Sequence, residues 1–215
     1  MLDDNQLQRA VTEELTWEPS VKAAHIGVTA KSGVVTLSGH VDTYLEKSVA
    51  EKAARRVKGV KAVAEEIEVK LAFDSKRTDD EIAAAALNRL DWDVEVPDDT
   101  VRVTVENGWV TLTGEVEWHF QQVAAKRDVR GLLGVVGVSD QTTIKPRVNE
   151  GDISEHIRKA LHRSWFDPNT IHVSAVGGEI HLTGTTNTWY DRQLAGSTAW
   201  AAPGATGVLN DITIS

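Results

Sequence analysis

"SGVVTLSGHV" at residues 32–41 decides the fold. "IGVTA" comes before it, Ser32-Gly33 supplies a two-residue turn, "VVTL" alternates apolar with hydroxyl residues, and Gly39 ends the run. This is the pattern of a β-hairpin with a primed turn, whose backbone twist matches that of the flanking strands. The stretch returns as "NGWVTLTGEV" at 107–116 and, more loosely, as "GGEIHLTGTT" at 177–186. With Gly39, Gly114 and Gly184 as anchors, each copy has a second glycine further on, at Gly59, Gly134 and Gly204. Short strand-like runs follow: "VAEEIEVKL", "VSDQTTI" and "VLNDITI". One unit is therefore repeated three times.

Each unit opens with a helix. Leu7, Val11 and Leu15, like Ile82, Ala86 and Leu90, step by four residues and form one apolar stripe. Thr78 with Glu81, Asp152 with Glu155 and, more weakly, Asp3 with Gln6 have capping-box spacing. The hairpin register pairs Val28 with Leu37, Ala30 with Val35, Val103 with Leu112, Val105 with Val110, Val173 with Leu182 and Ala175 with Ile180, so one face is apolar. A second helix turns Val49, Ala53 and Val57, or Ala125, Val129 and Leu132, inward, and a last strand follows this crossover parallel to the second. The predicted class is α+β: three tandem αββαβ sandwiches, each a three-stranded mixed sheet covered on one face by two helices. Polar linkers, "FDSKRTDD" and "KPRVNEGD", set the domains at 1–73, 74–145 and a divergent 146–215. In the third copy "PGATGV", with Pro203, predicts a shortened second helix.

The 215 residues include no cysteine, which excludes disulfide staples, thiolate metal sites and thiol nucleophiles. Net charge is −9, and residues 74–145 hold 14 acids against 8 bases. A phosphate backbone attracts the opposite sign, so nucleic acid is not an expected partner. The densest basic run, "KAARRVKGVK" at 52–61, reads as a solvated helix face. No stretch approaches the ~18 apolar residues of a membrane span. "MLDDNQLQRAVTEEL" has neither the basic start nor the apolar run of a secretory leader, so the chain as written reads as cytoplasmic, and as periplasmic if it is a trimmed mature form.

The pattern apolar-x-Val-x-apolar, Gly turn, "VTLxG", a helix ending "GV" and a strand "IxV" resembles the BON domain, named for bacterial osmotically inducible (OsmY-type) and nodulation proteins. Residues 26–71 and 101–144 carry it closely, and the third copy departs from it. The resemblance implies a non-enzymatic module associated with osmotic or envelope stress and, in some members, with phospholipid, ligand or partner binding.

No G-x-S-x-G elbow, P-loop or G-x-G-x-x-G accompanies the seven histidines. "GLLGVVG" at 131–137 follows a helix and reads as its stop. His172 and His181 share the polar sheet face as diagonal neighbours and are the metal candidates, but no third ligand is placed beside them, so they read as surface histidines. The acidic "DWDVEVPDD" at 91–99 lacks the glycine and closing glutamate of a calcium loop and reads as solvated. No cofactor is expected.

The aromatic residues carry the functional expectation. Trp17, Trp92 and Trp165 recur near the ends of the first helices and read as plugs for small cores. Tyr44, Trp118, Trp189 and Tyr190 recur just past each closing glycine, at a corner that suits either inter-repeat packing or partner contact. Trp109 stands on the non-core face of its strand and needs a cover or forms a sticky patch. The leading expectation is a non-catalytic binding or scaffold protein whose partner is another protein or itself, with no small-molecule ligand assigned. The alternative is a phospholipid-binding surface in which Tyr44, Trp118 and Trp189, with Lys47, Arg127 and Arg192, enter headgroups.

Overall fold

The computed structural model describes residues 3–146, 153–163 and 168–214, with the side chain of Pro168 excepted. Three runs of the same elements follow one another. The first is α1 (Asp4–Trp17), β1 (Ile26–Lys31), β2 (Val34–Val41), α2 (Tyr44–Arg56) and β3 (Ala62–Val69). The second is α3 (Asp79–Trp92), β4 (Val101–Glu106), β5 (Trp109–Val116), α4 (His119–Val129) and β6 (Gly137–Ile144). The third is α5 (Ile153–Leu161), β7 (Ile171–Val176), β8 (Glu179–Thr186), α6 (Trp189–Trp200) and β9 (Gly207–Ile214). The sheets have the orders β1-β2-β3, β4-β5-β6 and β7-β8-β9, so the expected α+β class with three repeated mixed sheets is the observed one. By compactness the chain divides into two units: Met1–Leu90 with Val103–Thr111 and Arg127–Ser139, and Asp91–Arg102 with Leu112–Lys126 and Asp140–Ser215.

In the first unit, helix α1 starts where cap and stripe coincide. The Gln6 N–H donates to the Asp3 carboxylate at 2.7 Å, and the Asp3 N–H donates to the Gln6 amide oxygen at 3.1 Å. Its stripe of Leu7, Val11 and Leu15 is buried. Val28 lies opposite Leu37 and Ala30 opposite Val35 across the β1–β2 hairpin, in the predicted register, and β3 runs parallel to β2. Leu37, Val35 and Val41 join the α1 stripe and Ala50, Ala53, Ala54 and Ile67 in one core. Each fully buried Leu or Ile contributes about 1.5–3 kcal/mol. Ala50 and Ala54 complete the inward face of α2, which the spacing of Val49, Ala53 and Val57 only partly defines. Thr78 and Glu81 form the predicted cap of α3.

In the second unit, Val173 faces Leu182 and Ala175 faces Ile180, and β9 runs parallel to β8. Ile157, Leu161, Ile180, Leu182, Ala195, Ala199 and Ile212 form its core. The predicted Asp152–Glu155 cap involves Asp152, which lies outside the described residues. Helix α6 spans 12 residues against 13 for α2 and 11 for α4, so it is not shortened. Pro203 falls in the turn after it, where no helical N–H is required.

Trp17 and Trp92 are each 85% exposed and plug nothing. Each sits two residues past the last stripe residue, Leu15 or Leu90. At 100° per residue that turns it about 120° away from the centre of the stripe. Trp165, the third of the set, lies outside the described residues.

Candidate functional site

The recurring feature is the corner between the second strand and second helix. It begins at the closing glycine. Gly39, Gly114 and Gly184 have φ of 116°, 130° and 124°. A Cβ there would sit 2.1, 2.0 and 1.9 Å from the carbonyl oxygens of His25, Thr100 and Thr170. Only a residue without a side chain lets the two backbones approach so closely.

Seven residues past each glycine comes a buried polar side chain: Glu46, Gln121 and Asp191. The Glu46 carboxylate accepts from the Lys22 N–H at 2.7 Å and the Asp42 N–H at 3.1 Å. The Gln121 amide oxygen accepts from the Glu117 and Trp118 N–H groups at 2.9 and 3.0 Å. Asp191 accepts from the Thr188 hydroxyl at 2.8 Å. Thr43 and Thr188 cap their helices by accepting from the Glu46 and Asp191 N–H groups. The following residue reaches the third strand: Lys47 Nζ donates to the Ile67 carbonyl at 2.6 Å, Gln122 Nε2 to the Thr142 carbonyl at 2.7 Å, and Arg192 Nη2 to the Asn210 carbonyl at 2.7 Å. The corner is thus rigidly held, and the two helix-opening residues between cap and acceptor are displayed outward.

Those pairs are Tyr44-Leu45, His119-Phe120 and Trp189-Tyr190. Leu45, Phe120, Trp189 and Tyr190 are 40%, 51%, 38% and 62% exposed. The first residue of the pair makes a contact beyond its own repeat in two cases. Within the first unit the Tyr44 phenol hydrogen-bonds the Val138 backbone and lies within electrostatic reach of Arg130; burial pushes the phenol up, partly offset by that bond. Within the second unit His119 stacks on Trp200, with ring centroids 3.9 Å apart and planes 11° from parallel. Burial holds the His119 imidazole below the usual histidine range, against a raising influence from Asp140.

Tyr44 meets Val138, and Trp109 covers the adjacent residue of β6: a Cβ on Gly137 would sit 2.3 Å from the indole, which remains half exposed. A ring over a strand glycine supplies the packing which that glycine lacks. Trp118 is partly buried and occupies the position of the capping threonines, so His119 is the true counterpart of Tyr44. Trp189 and Tyr190 open α6, with the Arg192 guanidinium 4.9 Å from the Trp189 ring centroid. His172 faces Thr183 and His181 faces Ser174, as the register predicts. His181 Nε2 is 2.8 Å from the Asp211 carboxylate, and among the described residues no cluster of three or more His, Asp or Glu could hold a metal. His119, Phe120 and Trp200 were missed by sequence reasoning; the fixed offset from the closing glycine was the signal for the first two.

No helix among the described residues is long and apolar enough to cross a membrane. A family model described as the BON domain matches residues 3–70, 78–146 and 149–215. Osmotically-inducible protein Y of Escherichia coli (strain K12) is 29% identical over 152 residues, which cover 67% of this chain and 74% of that protein. Two solved structures of CdsD, described as a structural protein of the Type III secretion system of Chlamydia trachomatis, are 17% identical with TM-scores of 0.26. The alignment covers 96% of this chain and 91% of the first, and all of both chains for the second, its C-terminal domain.

Proposed function

The chain belongs to the BON-domain family, with three copies of the module, and from that premise we propose that it is a non-catalytic protein-binding or scaffold protein acting in osmotic or envelope stress. The observation that carries this reading is the threefold corner. A pinned helix start displays two large side chains in every copy, and two of the three corners already hold a neighbouring repeat. Aromatic residues on a rigid support lose little conformational freedom on contact and dominate binding energies. The likeness to Osmotically-inducible protein Y supports the stress assignment.

The phospholipid alternative has less support from the corner. Tyr44 is turned to Val138, and Lys47 is tied to Glu65 at 2.8 Å and to the Ile67 carbonyl. Arg192 donates to Asn210. The test is affinity capture from osmotically shocked cells with the wild-type chain and with Trp109→Ala and Trp189→Ala/Tyr190→Ala variants, beside liposome co-sedimentation at low salt. Protein partners lost with the aromatics, and no sedimentation with anionic vesicles, are expected. An unchanged set of captured proteins refutes the reading, and sedimentation with anionic vesicles replaces it with the lipid one.

A further inference from the structure

The two inter-repeat contacts use equivalent positions. Counted from the closing glycine, Tyr44 and His119 both stand at the fifth residue of their own repeats. Their partners lie in the next repeat: Arg130 and Val138, sixteen and twenty-four residues past Gly114, and Trp200, sixteen past Gly184. The plug is thus a ring at the start of the second helix. The seat is the end of the next repeat's second helix, joined in the first junction by the start of its third strand. Such a contact is heterologous, since the plug and seat surfaces differ and every copy of the repeat carries one of each.

The third repeat therefore carries a plug and the first a seat, each at least partly exposed. Trp189 is the fifth residue past Gly184, with its ring partly exposed. In the first repeat the seat positions are Arg55 and Val63, and Val34 stands where Trp109 covers the β6 glycine. Val34 is 43% exposed, the Arg55 side chain is 62% exposed, and Val63 is partly buried. An indole facing the Arg55 guanidinium beside Val34 makes a cation–π and apolar contact in place of the hydrogen bond between the Tyr44 phenol and the Val138 backbone.

We propose that Trp189 of one molecule docks on the Val34, Arg55 and Val63 surface of a second copy of this chain, continuing head to tail the junction found twice within it. This rests on the corner being a protein-binding site, and it names the partner. Because plug and seat differ, association does not stop at a symmetric dimer unless a ring closes.

The test is sedimentation velocity on the purified full chain across the micromolar range. The wild type is expected to gain mass with concentration, and Trp189→Ala (plug removed), Arg55→Glu and Val34→Lys (seat removed) each to weaken this by at least about tenfold. Far-UV circular dichroism of each variant checks the fold. Mixing Trp189→Ala with Arg55→Glu is the decisive arm, because each retains what the other lacks. A complex of two chains that grows no further is expected. A concentration-independent monomer, association unchanged in the single variants, or a mixture that forms no pair each overturns the proposal. Capture of a different protein through Trp189 would leave the binding reading standing without it.

Discussion

Replacing Gly114 with alanine should come close to unfolding its repeat, while the same change at two other glycines should not. The φ of 130° alone costs an L-residue about 1–3 kcal/mol. The added Cβ would lie 2.0 Å from the Thr100 oxygen, and side-chain carbons essentially never approach backbone oxygens within 3.0 Å, so the strands must part by roughly an ångström. Losing one or two ladder hydrogen bonds adds about 1 kcal/mol each, for a total of about 2–5 kcal/mol. A repeat of this size has only about 3–10 kcal/mol to lose, from ~0.05–0.15 kcal/mol per residue. At Gly177, φ is 59° but a Cβ meets nothing within 4 Å, so Gly177→Ala carries backbone strain only, about 1 kcal/mol. Gly131 has open space and no positive φ; its alanine should be neutral or stabilising by about 0.5 kcal/mol, through the unfolded state. Urea unfolding followed by tryptophan fluorescence should rank the midpoints Gly131→Ala, wild type, Gly177→Ala, Gly114→Ala. A Gly114→Ala midpoint equal to that of Gly131→Ala would refute the close-approach argument.

Glu46→Ala strands the Lys22 and Asp42 N–H groups and should cost about 2–4 kcal/mol. Glu46→Gln should cost much less, because Gln121 does the same work in the second repeat; equal losses in chemical denaturation would count against this acceptor role. Because burial lowers the His119 pKa, the fold disfavours its proton. Its contribution is intact above the usual histidine value of 6.5 and is lost as pH falls below that toward the folded pKa. Melting temperatures at pH 7.5 and 5.5 should therefore fall further for wild type than for His119→Phe, which retains the stack without a titrating group; parallel declines would dismiss the linkage.

The sequence made the hairpin registers, the apolar stripes and the caps of α1 and α3 readable, because each depends on spacing within one element or across a two-residue turn. The tryptophans at the helix ends were misread because residue type was weighed above angle: Trp17 and Trp92 follow the stripe by two residues, which puts them off it. Trp118 is the aromatic residue that residue type singles out, but its place in the repeat is that of Thr43 and Thr188, and the contact is made by His119 beside it. The partner ring, Trp200, closes a different helix far along the chain, and no local pattern announces such a pairing. The buried Glu46, Gln121 and Asp191 were legible only by overlaying the copies, since they share an offset and not a residue type.

The strand order has a further consequence for how molecules can meet. Each sheet has its third strand at one margin, and that margin bears acids: Glu65, Glu66 and Glu68 on β3, Asp140 on β6 and Asp211 on β9. Two such margins brought together as neighbouring strands would set carboxylates against carboxylates, which opposes ladder growth of the kind that leads to amyloid. Copies that meet along those margins are steered away from zipping their backbones together there.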